Sequence, residues 1–174
     1  MDELVPISGS GDLKKGSSEE ILQLVTFTLG SEEYAVDILR VQEINRMKEI
    51  TRVPNSPAYV EGVVNLRGKV IPVVSLRMKF GLPEKENDEQ ARIMIMEIVG
   101  ITMGLIVDSV SEVLRIPASI VEPPPPMATS ISAEFIKGIA KLEDRLIILL
   151  DMDRLIGFKS AEAALIETAA AALE

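Results

Sequence analysis

"YVEGVVNLRGKVIPVVSL", residues 59–76, has a second copy in the same chain: "FIKGIAKLEDRLIILLDM", residues 135–152. A shift of 76 residues lays Tyr59 on Phe135, Gly62 on Gly138, Leu66 on Leu142 and Ile71 on Ile147. Upstream, a shift of 69 pairs Phe27 with Met96, Leu29 with Ile98, Ala35 with Gly104, Ile38 with Val107, Val41 with Val110, Glu43 with Glu112 and Ile44 with Val113. The chain is therefore an internal duplication, and each copy must be read as a structural unit before any single motif is interpreted. The second copy is longer by seven residues, the difference between the two shifts, and "PPPP" at 123–126 falls in that interval.

Each copy holds five short runs rich in Val and Ile. They are "LQLVTFTL", "YAVDIL", "VQEINRM", "GVVNL" and "KVIPVV" in the first, and "RIMIMEIV", "TMGLIV", "VSEVLRI", "GIAKL" and "RLIILL" in the second. Their length and β-branched content predict strands. Five short strands predict a small closed barrel, because closure removes the unpaired edges of a short antiparallel sheet. Two barrels in series are expected, over about 21–83 and about 91–158, with exchange of elements between them allowed. Runs that are apolar on both faces, such as "RLIILL", predict that one face fills its own barrel and the other packs on the sister barrel or a partner. "RIMIMEIV" is assigned to barrel core. "GLPEKENDEQ" (81–90) reads as the connection, residues 1–20 as a flexible arm, and 159–174 as a C-terminal helix whose "AAALE" end reads as vector-derived.

Composition narrows the chemistry. The chain has 174 residues, 47% of them hydrophobic, enough to bury a core, and a formal charge of −9 that opposes phosphate backbones and anionic membranes. No apolar run approaches the roughly 20 residues that span a bilayer. A soluble protein without nucleic-acid partner or membrane insertion is expected. It has no cysteine and no histidine. Disulfides, thiolate chemistry, the commonest general base and the commonest zinc ligand are thereby excluded, and with them most hydrolase mechanisms.

The hairpin tip "LRGK" predicts a short turn with Gly68 at positive φ and Arg67 exposed at the apex. The second copy has Glu143 and Asp144 at these positions, so the hairpin itself does not require the arginine, which points to a partner. Pro72 lacks an N–H and predicts an edge strand or a break in the ladder. Strand alternation puts Glu43 and Glu112 on the solvent side. The acids Glu143, Asp144, Asp151 and Asp153 raise a carboxylate metal site, but they lack the glycine-bearing spacing of a calcium loop, and Asp151 and Asp153 read as caps of "DMDRLI". "EPPPPMA" (122–128) has polyproline character and reads as a stiff crossover loop, with a ligand for an aromatic groove as the alternative. No phosphate-binding loop is present, so no cofactor is expected.

"FTLGSEEYAVDILRVQEI" (27–44), "YVEGVVNLRGKVIPVVSLRMKFGL" (59–82), "GLIVDSVSEVLRI" (104–116) and "FIKGIAKLEDRLIILLDMDRLI" (135–156) together resemble CheW, the adaptor family of bacterial chemotaxis, over roughly residues 22–158. The resemblance implies a mainly β fold of two SH3-like five-stranded barrels. It also implies no enzymatic activity and a cytoplasmic place at receptor arrays, linking the histidine kinase CheA to the tips of chemoreceptors. The receptor's helical hairpin is then expected in a groove between barrels, on Val41, Glu43 and Arg67. The kinase's regulatory domain is expected on Val53, Pro54 and Gly62, with a second contact near Glu122 and Met127. Ser75 departs from the family's usual aspartate, which the sister position Asp151 keeps; a serine still caps the following turn. The rival readings are a CheW-like module of a larger protein such as CheV, and a carboxylate-metal hydrolase.

Overall fold

The structure, a computed structural model, describes residues 20–83, 86, 88–124 and 133–156. The expected C-terminal helix, nearly all of the N-terminal arm and Met127 lie outside them. Each of the ten expected runs is a strand. The first copy supplies β1 (Ile21–Leu29), β2 (Glu32–Asp37), β3 (Val41–Arg46), β4 (Val60–Leu66) and β5 (Lys69–Ser75). The second supplies β6 (Arg92–Ile98), β7 (Ile101–Val107), β8 (Ser109–Pro117), β10 (Ile136–Lys141) and β11 (Leu146–Leu150), plus a two-residue β9 (Val121–Glu122). Short helices α1 (Leu76–Lys79) and α2 (Met152–Leu155) follow β5 and β11. Ser75 caps α1 by accepting from the Met78 N–H at 3.3 Å, as Asp151 caps α2 by accepting from Arg154 at 3.1 Å. The serine thus does the aspartate's structural work.

The two sheets have the strand orders β8-β1-β2-β11-β10-β9 and β3-β6-β7-β5-β4. Each combines the first two strands of one copy with the later strands of the other (β8 to β11 in the first sheet, β3 to β5 in the second), so the barrels do not follow in series. The limits near 21–83 and 91–158 delimit sequence copies, and the exchange allowed above is complete. The copies meet at one antiparallel and one parallel seam in each sheet: β1 with β8 and β3 with β6 are antiparallel, whereas β2 with β11 (Ala35 opposite Leu149) and β5 with β7 (Val73 opposite Gly104) are parallel. Pro72 is buried on an interior strand, not at an edge. Its partner Val63 bonds Thr51 through both N–H and C=O, so Pro72's backbone faces β7, where the ladder begins only at Val73. The missing donor sits where no acceptor was required.

Three apolar clusters follow from alternation. Leu24, Ala35, Ile116, Ala140, Ile147 and Leu149 fill one barrel, and Val64, Ile71, Val73, Ile93, Ile95 and Ile106 fill the other. The largest cluster lies between the sheets and takes Phe27, Leu29, Tyr34, Met94, Met96, Met103, Ile148 and Leu150. "RLIILL" therefore uses its two faces as expected. "RIMIMEIV" splits: its isoleucines 93 and 95 fill a barrel, whereas Met94 and Met96 face the sister barrel, a correction to the assignment of the whole run to barrel core. At roughly 1.5–3 kcal/mol per fully buried large side chain, these clusters outweigh the surface ion pairs in holding the SH3-like pair of barrels together.

Two crossovers carry the chain between sheets. The 3₁₀ turn Ile38–Arg40 leads from β2 to β3, and Asp108 joins β7 to β8. Arg40 pairs with Asp153 of α2 at 2.6 Å, and Asp108 with Arg77 of α1 at 2.6 Å while also accepting from the Gly30 N–H. Arg77 and Asp153 are equivalent under the shift of 76. The same clamp is thus built twice with its charges exchanged.

Candidate partner-binding site

Leu66 pairs with Lys69, so Arg67 and Gly68 alone make the β4–β5 turn, with φ of 52° and 83°. Two positive φ values define the hairpin turn that matches strand twist, and asparagine-glycine is its usual sequence. An arginine there is strained, and backbone strain of this kind is characteristically kept at functional positions. Asn65 steadies the turn by accepting from the Gly68 N–H at 2.9 Å.

Arg67 reaches across the barrel mouth to β3 and clasps Glu43 with both terminal nitrogens. Asn45 donates to the same carboxylate from the other side at 3.1 Å. Arg67, with Asn45 assisting, holds the Glu43 carboxyl below its ordinary value. Glu43 is not on the solvent side, contrary to the alternation reading. A register shift between Val41 and Glu43 changes the phase of β3, leaving Glu43 27% exposed and turning Ile44 outward at 40%. Val41 begins β3, half-buried against the cluster between the sheets. The structure thus brings Glu43 and Arg67 into one unit with Val41 two residues away.

The second barrel mouth is closed in the same way. Arg145, at the base of the β10–β11 turn, reaches Glu112 of β8 at 2.5 Å and Glu33 of β2 at 3.6 Å. Glu112 is the counterpart of Glu43, but the arginine comes from the position equivalent to Lys69. The inference that the tip charge is unique to the first copy is therefore corrected: the clasp is duplicated, with its arginine moved two residues along the hairpin.

The sequence profile of the CheW-like domain matches residues 23–159. The chain belongs to the CheW family. A chemotaxis protein CheW from Klebsiella aerogenes is 36% identical over 165 residues, spanning 94% of this chain and 98% of that one. CheW from Helicobacter pylori is 37% identical over 147 residues, with 84% and 88% covered. The crystal structure of the scaffolding protein TtCheW from Thermoanaerobacter tengcongensis superposes with a TM-score of 0.75 at 40% identity, covering 82% of this chain and 97% of that one. CheV3 from Helicobacter pylori is 31% identical over 126 residues but is covered over only 40% of its length. Near-full coverage of the CheW relatives favours the free adaptor reading over the CheV module.

Of the other described residues named from the CheW resemblance, Val53 and Pro54 lie in the segment between β3 and β4, Gly62 on β4 and Glu122 on β9. Val53 and Pro54 line a shallow groove of about 340 Å³ with Ser56, Pro57 and Glu61. Gly62 lies behind it, buried, next to the Thr51–Val63 bridge. Glu122 is exposed on β9 and lines a cleft of about 550 Å³ with Glu32, Glu33, Lys141, Arg145 and Leu146. It pairs with Ile139, the counterpart of Val63, so β9 repeats the Thr51 bridge. Asn45 and Arg145 were missed from sequence. Asn45 was legible as a same-face neighbour of Glu43; Arg145 could be found only by matching charge partners across copies. The acids of the metal-site reading are dispersed: Asp151 caps α2 and Asp153 pairs with Arg40. Among the described residues no three acidic side chains converge as metal ligands.

Proposed function

We propose that this CheW-family chain is a non-enzymatic adaptor of chemotaxis. It couples the histidine kinase CheA to the cytoplasmic tips of chemoreceptors, in the cytoplasm beneath the membrane that holds them. The observation that carries the reading is the strained, exposed Arg67 clasped to Glu43 beside Val41. It is a charged element of fixed geometry at the rim of an apolar seam, the kind of feature that sets register and discrimination in an interface. The receptor's helical hairpin occupies the groove between the barrels on Val41, Glu43 and Arg67. The kinase's regulatory domain docks on Val53 and Pro54, with Gly62 shaping that surface from behind, and makes a second contact at Glu122 and Met127. No helix among the described residues is long and apolar enough to cross a membrane, so the receptor supplies the membrane link.

Calorimetric titration with a receptor cytoplasmic fragment tests the reading. Arg67→Ala is expected to keep the fold and to weaken receptor binding roughly ten-fold or more, as for an interface anchor. An unchanged titration would count against it.

A further inference from the structure

The two clasps differ in which partner faces solvent. In the first, the Arg67 side chain is 71% exposed and Glu43 27%; in the second, Glu112 is 45% exposed and Arg145 35%. One barrel mouth therefore presents mainly a cation and its counterpart mainly an anion. Glu112 is also held from within. The buried Thr26 hydroxyl donates to the Glu112 carbonyl at 3.1 Å and accepts from its N–H at 3.2 Å, beside the register shift between β1 and β8. At the first clasp the residue opposite Glu43 is Ile95, which has no such group. Val41 and Val110, equivalent residues of β3 and β8, both cover the cluster between the sheets. Ile44 and Val113, also equivalent, are both exposed.

We propose that Glu112 is a second charged contact of the receptor-binding surface, and that the cation-to-anion difference between the clasps fixes the direction in which the receptor's helical hairpin lies. The inference rests on the receptor reading of Glu43 and Arg67. A duplicated scaffold offers related apolar contacts on both sides of its seam. A hairpin of two antiparallel helices is itself roughly two-fold, so it could lie either way round with similar apolar contact. Opposite charges at the two related positions remove that degeneracy. One direction sets a carboxylate of one helix on Arg67 and a cation of the other on Glu112, and the reverse direction juxtaposes like charges.

The test titrates a receptor cytoplasmic fragment, at two salt concentrations, against the wild-type chain, Glu112→Gln and Arg67→Gln, with the kinase regulatory domain titrated in parallel. Glutamine keeps an oxygen to accept from Arg145 and removes only the charge. Glu112→Gln is expected to weaken receptor binding roughly three- to ten-fold and to flatten its salt dependence, with kinase affinity and melting temperature unchanged. If Glu112→Gln binds receptor like wild type while Arg67→Gln weakens it, the inference is overturned and the receptor reading stands. If neither variant weakens binding, the receptor reading falls and the inference with it. A parallel loss of both affinities together with a lower melting temperature would make Glu112 structural, which also overturns the proposal.

Discussion

A Cβ added to Gly62 would sit 2.1 Å from the Thr51 carbonyl oxygen, on a backbone with φ of 152° that only glycine adopts freely. Gly62 lies at the register shift of β4 and lets the Thr51 segment bridge to Val63. Gly62→Ala must therefore displace that segment, and with it Val53 and Pro54. The expected cost is about 2–3 kcal/mol, read as a lower urea midpoint, with kinase affinity falling more than receptor affinity. A native midpoint with undiminished kinase binding would refute the assignment. At this scale the sequence was informative where the copies agree. Gly62 and Gly138 stand at equivalent register shifts where another segment approaches closely, though Gly138 lacks the positive φ and a Cβ on it would meet the Val121 side chain at 2.5 Å. It misled where a contact is kept and its residue moves. Position-by-position comparison set Arg67 against Glu143 and hid Arg145, which does the equivalent work two residues later.

Strand existence was legible from β-branched, strand-length runs, but the facing of individual side chains was not wherever a register shift intervened. The shift in β3 reversed the reading of Glu43, and no local residue pattern announces it. The crossover clamps were equally hidden, because Arg40 and Asp153 are far apart in sequence. They yield a prediction about acid. Arg40 holds the Asp153 carboxyl below its ordinary value of 3.8, chiefly through their hydrogen bond. The folded state then binds fewer protons than the unfolded state, so the clamp's contribution is full above that ordinary value and is lost as pH falls through the folded value. Asp153→Asn should melt lower than wild type near pH 7, and the gap should narrow as pH falls from about 4 downward. Melting curves with a constant gap across that range would contradict the clamp. Glu43 is shifted in the same direction, so the variant should retain some acid sensitivity.

For the whole molecule, the duplication and the two-barrel architecture could be read from the chain, whereas the exchange of hairpins could not. Alternation specifies which face of a strand is buried, not which copy supplies its neighbour, and β2 can lie beside β11 only through long-range pairing. The exchange has a consequence for an adaptor. Each barrel contains strands from both copies, and both crossovers are clamped, so a contact at one barrel bears on chain segments of the other. An assembly role is the central claim, and co-sedimentation with receptor-containing membranes and purified kinase tests it most directly. The chain should carry the kinase into the pellet, and Arg67→Ala should leave both chain and kinase in the supernatant. Kinase that pellets equally with or without the chain, or a chain that binds neither partner, would contradict it.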